Sequence, residues 1–128
     1  MEQIVQHSYF KREEFACGCG CDFDNVSPVL LATLDRVRQI MDRPVVINSG
    51  CRCRRHNEAV GGSIHSSHLT GCAVDIKCPA GNSGENDYRW RLIYALILSG
   101  CTRIGIGKGF VHVDIDVTKP DRRMWVYM

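Results

Sequence analysis

The feature that most constrains this chain is a pair of β-branched runs, Thr102 to Ile106 and Phe110 to Val117, separated only by Gly107-Lys108-Gly109. A glycine-flanked connection that short suits a tight antiparallel hairpin, so a local antiparallel sheet is expected near the C-terminal end. Side chains alternate across a strand. Val111, Val113 and Ile115 therefore share one face, and His112, Asp114 and Asp116 share the other. One face reads as core and the other carries chemistry.

Upstream, Ser27-Pro28 is a helix start, because Ser caps free amide groups and Pro tolerates the first helical position. Val29, Leu30, Leu34, Val37, Ile40 and Met41 recur at helical spacing, which predicts an amphipathic helix from Pro28 to about Met41, ended by Pro44. Val45-Val46-Ile47 and Ala73-Val74-Asp75-Ile76 read as short strands. Between them, Arg52 to Leu69 has no sustained apolar period and is expected to be a long surface excursion with a short helix around His56 to Val60. Pro79 to Gly84 reads as loop. A second helix is expected from a cap at Asn86 to Ser99, with Trp90, Ile93, Tyr94 and Ile97 on its apolar face and Gly100 as its stop. Trp125 to Met128 could add an edge strand. A saccharide-stacking role suggests itself for Trp90 and Trp125, but the helical pattern puts Trp90 in the core.

The chain has 128 residues, 45% of them hydrophobic and 23% charged. That is one domain, residues 1–128, with a packed core. A formal charge of +2 with scattered Lys and Arg gives no reason to expect nucleic acid as a partner. The longest apolar stretch, Leu92 to Leu98, falls well short of the roughly 20 residues that span a bilayer, so membrane insertion is not expected. Met1 to His7 lacks the pattern of a secretion signal, which predicts cytoplasmic synthesis. His7 has no partner motif and is expected to be exposed.

Eight cysteines are many for this length. Cys17, Cys19 and Cys21 form one cluster, Cys51 and Cys53 a second, and Cys72, Cys78 and Cys101 stand singly. Alternate cysteines do not make the C-x-x-C knuckle of common zinc sites. Reduced thiols packed as small hydrophobes are the expectation for a cytoplasmic protein, with a thiolate metal site or a disulfide as alternatives.

Two segments hold residues that packing alone does not require: His68 to Asp75, and Val111-His112-Val113-Asp114. Imidazole and carboxylate suit zinc, and a catalytic zinc site needs three protein ligands plus an open position. His68, Asp75 and His112 supply that count, and Gly71 lets the chain turn between the first two. A His and an Asp at a loop edge also occur as an ordinary surface pair.

Ser66-Ser67-His68-Leu69-Thr70-Gly71-Cys72-Ala73-Val74-Asp75 resembles the S-x-H-x-x-G-x-A-x-D signature of the zinc D-alanyl-D-alanine peptidase family. Gly107 to Asp114 is similar to the closing G-x-F-V-H-x-D strand of the family's short branch, common in phage and prophage genes. Ile47 to Cys53, followed by His56-Asn57-Glu58-Ala59-Val60-Gly61-Gly62, resembles its S-G-x-R and H-N-x-x-V-G-G elements. The three blocks occur in order between about Tyr9 and Asp114.

The resemblance implies an α+β fold of the hedgehog and peptidase type, a small antiparallel sheet flanked by helices. It implies His68, Asp75 and His112 as zinc ligands, and Arg52 as the group that binds a substrate carboxylate or steadies an oxyanion, with Arg54 and Arg55 close by in sequence. Ser66 falls in the signature and is expected at the substrate. Several enzymes of the family carry a Glu three residues before the last ligand, and here that position is Gly109. Asp114 shares strand parity with His112 and is the first candidate for general base; the alternatives are that it only orients a ligand imidazole, or that His65 or His56 handles the proton. The implied activity is hydrolysis of an amide in the peptide part of bacterial peptidoglycan by a monomer, either a D,D-carboxypeptidase or an endopeptidase. The setting is a phage or prophage endolysin that reaches the wall after release or as part of a phage particle. The rival is a non-catalytic wall-binding or virion structural domain that keeps the fold.

Overall fold

The computed structural model describes residues 8–79 and 84–127. His7 and residues 80–83 of the expected loop from Pro79 to Gly84 lie outside these residues, as does Met128. The elements in order are α1 (Pro28–Met41), β1 (Ile47–Ser49), α2 (Arg54–Ala59), β2 (Ala73–Lys77), α3 (Gly84–Leu98), β3 (Arg103–Gly107), β4 (Phe110–Asp114) and β5 (Arg123–Val126). Two 3₁₀ turns, Arg12–Phe15 and Ser67–Thr70, stand before α1 and β2. Five strands form one sheet in the order β1-β2-β4-β3-β5, antiparallel except for the β3–β5 pair. This is the expected α+β class.

Helix α1 starts as its sequence dictates: the Ser27 hydroxyl accepts the Leu30 amide at 3.4 Å and Pro28 takes the first turn. Its Leu30, Leu34, Val37 and Met41 are buried. They join Val74, Ile76, Val111 and Val113 from the centre of the sheet and Leu92, Ala95 and Leu96 from α3 in the core. Phe10 and Phe15 of the N-terminal segment close the same core, their rings 5.8 Å apart.

Several expectations need correction. Trp90, Tyr94 and Ile97 do not face the core: they are 66%, 52% and 54% exposed, and the two aromatic rings stack on each other at 5.5 Å. Helix α3 carries two apolar stripes, and the one through Tyr88, Leu92, Ala95, Leu96 and Ser99 is buried instead. Small Ala95 and Ser99 on that stripe allow close approach, which two large aromatic rings would prevent. Helix α3 also begins at Gly84, so Asn86 lies inside it rather than capping it.

The first strand is displaced by two residues from Val45–Ile47. Ile47 pairs with Ile76 and Ser49 with Asp75, with a register shift between the two pairs. That shift carries Ser49, Gly50 and Arg52 over Asp75. The last hairpin strand stops at Asp114 rather than Val117: the Asp114 carboxylate accepts the Asp116 amide, and Asp116 in turn accepts the Thr118 amide at 3.0 Å. Such side-chain to backbone bonds compete with the strand ladder. Asp116 thus caps the turn that follows the strand.

Candidate metal centre and substrate cleft

The antiparallel register places Asp75 of β2 directly opposite His112 of β4. His68 comes from the 3₁₀ turn ahead of β2. Ser66 begins that turn by accepting the His68 amide at 3.2 Å, and Gly71 ends it with φ of +70°. A side chain at Gly71 would also collide with the Asn25 carbonyl, so both conformation and space demand glycine here.

His112 Nδ1 lies 2.9 Å and His68 Nε2 3.3 Å from the same oxygen, Asp75 Oδ1. Their ligand atoms lie within 4.8 Å of one another. The far nitrogen of each ring is also engaged. His68 Nδ1 faces the Gly50 carbonyl at 2.6 Å, and His112 Nε2 faces Asp114 Oδ2 at 2.8 Å. A carbonyl can only accept, so His68 carries its proton on Nδ1, and the Asp114 carboxylate holds the His112 proton on Nε2. Burial opposes charge on His112, but Asp114 and Asp75 on its two sides raise its pKa, so without a cation its Nδ1 also donates to Asp75. A cation at this point would take the place of that proton, and the donor set and outer partners fit zinc.

Burial opposes ionisation of Asp75, but the two imidazoles beside its carboxylate outweigh it and hold the carboxyl well below its usual range. Burial likewise opposes ionisation of Asp114, and His112 and Arg103 overcome it. Arg103 Nε donates to Asp114 Oδ1 at 2.7 Å, with the Asp114 side chain only 2% exposed.

An open cleft of about 360 Å³ lies over these groups. Arg52 enters one side. Its guanidinium lies 3.5 Å from Asp75 Oδ2 and donates to Ser49 Oγ and Asn57 Oδ1, both at 3.3 Å. Arg54 and Arg55 are exposed on α2 and do not line the cleft. Buried Asn57 explains the H-N-x-x-V-G-G block: its amide donates to the Ser63 carbonyl at 2.8 Å, while its own carbonyl accepts the Gly62 amide at 2.8 Å. The block is a clasp that holds Arg52.

Ser66 lines the cleft, but the exposed His65 does not. His56 faces a different pocket, beside Cys19, Cys21 and Cys53. Gly109 has φ of +77° and open space around it. Among the described residues no glutamate lines the cleft.

Trp125, one of the two tryptophans considered for stacking, walls the cleft with its ring 5.6 Å from that of His112, and Tyr127, which the sequence reading missed, lies beside it. They reach it across Gly105, where a Cβ would sit 2.6 Å from the Trp125 indole nitrogen. Gly105 inside a strand was the available signal, since an interior strand glycine marks close approach by another group. Arg103 stacks its guanidinium 5.1 Å from the Trp125 ring, and Lys119 donates to Ser67 Oγ at 2.8 Å on the same rim. Neither lay in a recognisable motif.

An arrangement of this kind defines a class of protein with a sheet-backed cleft whose side chains could hold a metal ion, with room for a substrate. The sequence model described as Peptidase M15 matches residues 8–114, and the chain belongs to that family, the zinc D-alanyl-D-alanine peptidases. The resemblance drawn from the three sequence blocks is thereby borne out at the level of the family. No curated protein matches the chain. At the level of the family, the chain is a peptidase of the kind that acts on peptidoglycan. No helix among the described residues is long and apolar enough to cross a membrane.

Proposed function

We propose that the chain is a single-domain zinc peptidase that cleaves an amide bond in the peptide part of bacterial peptidoglycan, in the setting of a phage or prophage endolysin. The observation that carries this reading is the convergence of His68 Nε2, His112 Nδ1 and Asp75 Oδ1, with each ring's other nitrogen held by a fixed acceptor. When bound there, zinc supplies Lewis-acid polarisation of the scissile carbonyl and a hydrolytic nucleophile at neutral pH.

The chain's own residues do the rest. Gly50 and Asp114 keep the two protons on the outer ring nitrogens, so the inner nitrogens stay available as ligands. Asp114 is assigned this positioning role in preference to that of general base, because His112 occupies one of its oxygens and Arg103 the other. Arg52 offers a fork of donors to a substrate carboxylate or a developing oxyanion, steadied by Asn57. Ser66 adds a polar edge on the same side. Trp125 and Tyr127 form the opposite wall, where rigid rings shield the reacting amide from water. A non-catalytic domain that binds the wall is the second reading, favoured by the glycine at position 109.

Mass analysis of muropeptides after digestion of purified peptidoglycan separates these readings. Loss of terminal alanine identifies a carboxypeptidase, and conversion of cross-linked dimers to monomers identifies an endopeptidase. An unchanged muropeptide profile with zinc-loaded protein would contradict the peptidase reading and support the binding domain.

A further inference from the structure

A second group of ligand-type side chains lies outside the cleft. Cys17, Cys19 and Cys21 of the N-terminal segment meet Cys53 of the loop ahead of α2, all four sulfurs lying within 4.8 Å of one another. Cys17 Sγ is 3.5 Å from Cys19 Sγ and 3.8 Å from Cys53 Sγ, and Cys19 Sγ is 3.6 Å from Cys53 Sγ. Tetrahedral zinc with bonds of about 2.3 Å to sulfur sets its ligands roughly 3.8 Å apart. A disulfide needs about 2 Å, and it would pair two sulfurs while leaving the others without purpose.

The backbone is shaped to gather these sulfurs. Cys17 and Phe23 are joined by a hydrogen bond of 2.7 Å, the Gly20 amide turns back to the Cys17 carbonyl at 3.1 Å, and Gly20 and Asp22 take φ of +82° and +67°. Two sulfurs accept main-chain amides: Cys53 N donates to Cys17 Sγ and His56 N to Cys53 Sγ, both at 3.4 Å. Such bonds favour sulfur that carries negative charge, as a metal-bound thiolate does. Packing as small hydrophobes does not account for the cluster, because Cys19 and Cys21 are exposed.

We propose that Cys17, Cys19, Cys21 and Cys53 bind one structural zinc ion, distinct from the His68, Asp75, His112 site, that staples the N-terminal segment to the loop bearing Arg52. The loop is already close to that segment: the Cys51 amide donates to the Phe15 carbonyl at 2.8 Å. Cys53 directly follows Arg52, so the staple fixes one side of the substrate cleft from behind. Binding displaces the thiol protons and contributes to folding, because the site is not formed in the unfolded chain.

The test uses the full chain purified without chelator, with zinc counted by mass spectrometry and thiols by titration. The His112→Ala variant should keep one zinc per chain, while Cys19→Ser/Cys21→Ser should lose one relative to the wild type. In native wild-type protein Cys19 and Cys21, although exposed, should react only after chelator is added. Cobalt exchange into His112→Ala gives a readout independent of the cysteine variant: a thiolate-to-cobalt charge-transfer band is expected. A His112→Ala variant without zinc, free reaction of Cys19 and Cys21 in the native protein, or a deficit of thiols in the denatured, unreduced chain would each overturn the proposal. None of these outcomes depends on hydrolysis, so failure here is distinct from failure of the peptidase reading.

Discussion

His112 and Asp114, two residues apart on β4, meet side chain to side chain: His112 Nε2 donates to Asp114 Oδ2 at 2.8 Å. A pair sharing strand parity can also place both groups at a substrate, but here the second residue is spent on the first. Asp114→Asn should therefore lower activity and zinc affinity together, each by about 10–100-fold, as loss of an outer partner of a ligand imidazole does. Parallel zinc titrations and rate assays check this. A variant that binds zinc as tightly as wild type yet is inactive would return Asp114 to the role of general base.

Gly71→Ala should be destabilising by more than about 2 kcal/mol in denaturant unfolding, since φ of +70° and a collision with the Asn25 carbonyl act together. A change below about 0.5 kcal/mol would mean that the turn between His68 and Asp75 relaxes freely.

Gly105→Ala should fold but displace Trp125 and Tyr127, because the new methyl group would lie 2.6 Å from the indole nitrogen and 2.7 Å from the Tyr127 ring. A reduced rate, about tenfold, with a changed near-ultraviolet circular dichroism spectrum is expected. An unaltered spectrum and rate would remove the aromatic wall from the account.

Tyr88 donates its hydroxyl to the Pro44 carbonyl at 2.8 Å, and burial pushes its pKa up from 10 to about 12. Between these values the folded chain keeps a proton that the unfolded chain loses, so the contribution to stability is full below pH 10 and falls as pH rises toward 12. Tyr88→Phe should cost about 1 kcal/mol at neutral pH. The difference between the two proteins, followed by unfolding at several pH values, should shrink above pH 10; a gap independent of pH would contradict the assignment.

Much of the site was legible because metal chemistry leaves few residue types to choose from. His68, Asp75 and His112 come together as the signature implied, with Asp75 set opposite His112 by the β2–β4 pairing. What the sequence could not convey was choice between equivalents. Helix α3 offered two apolar stripes, and only the shape of the opposing core selects the one through Leu92 and Ala95. The position of β1 depended on a register shift against β2, a tertiary event with no local mark. Asp114 had the right residue type for either base or positioning, and the contact on which the positioning proposal rests, with Arg103 eleven residues away on a neighbouring strand, has no local mark. Trp125 and Tyr127 reach the cleft because β5 pairs parallel with β3, a long-range contact that short motifs do not encode.

Anomalous diffraction at the zinc edge from crystals of the zinc-loaded chain tests the central claim most directly. The account predicts a peak bonded to His68 Nε2, Asp75 and His112 Nδ1, with His112 Nε2 still bound to Asp114. Zinc-loaded crystals with no peak among these three side chains, or with His112 turned to bind through Nε2, would contradict it.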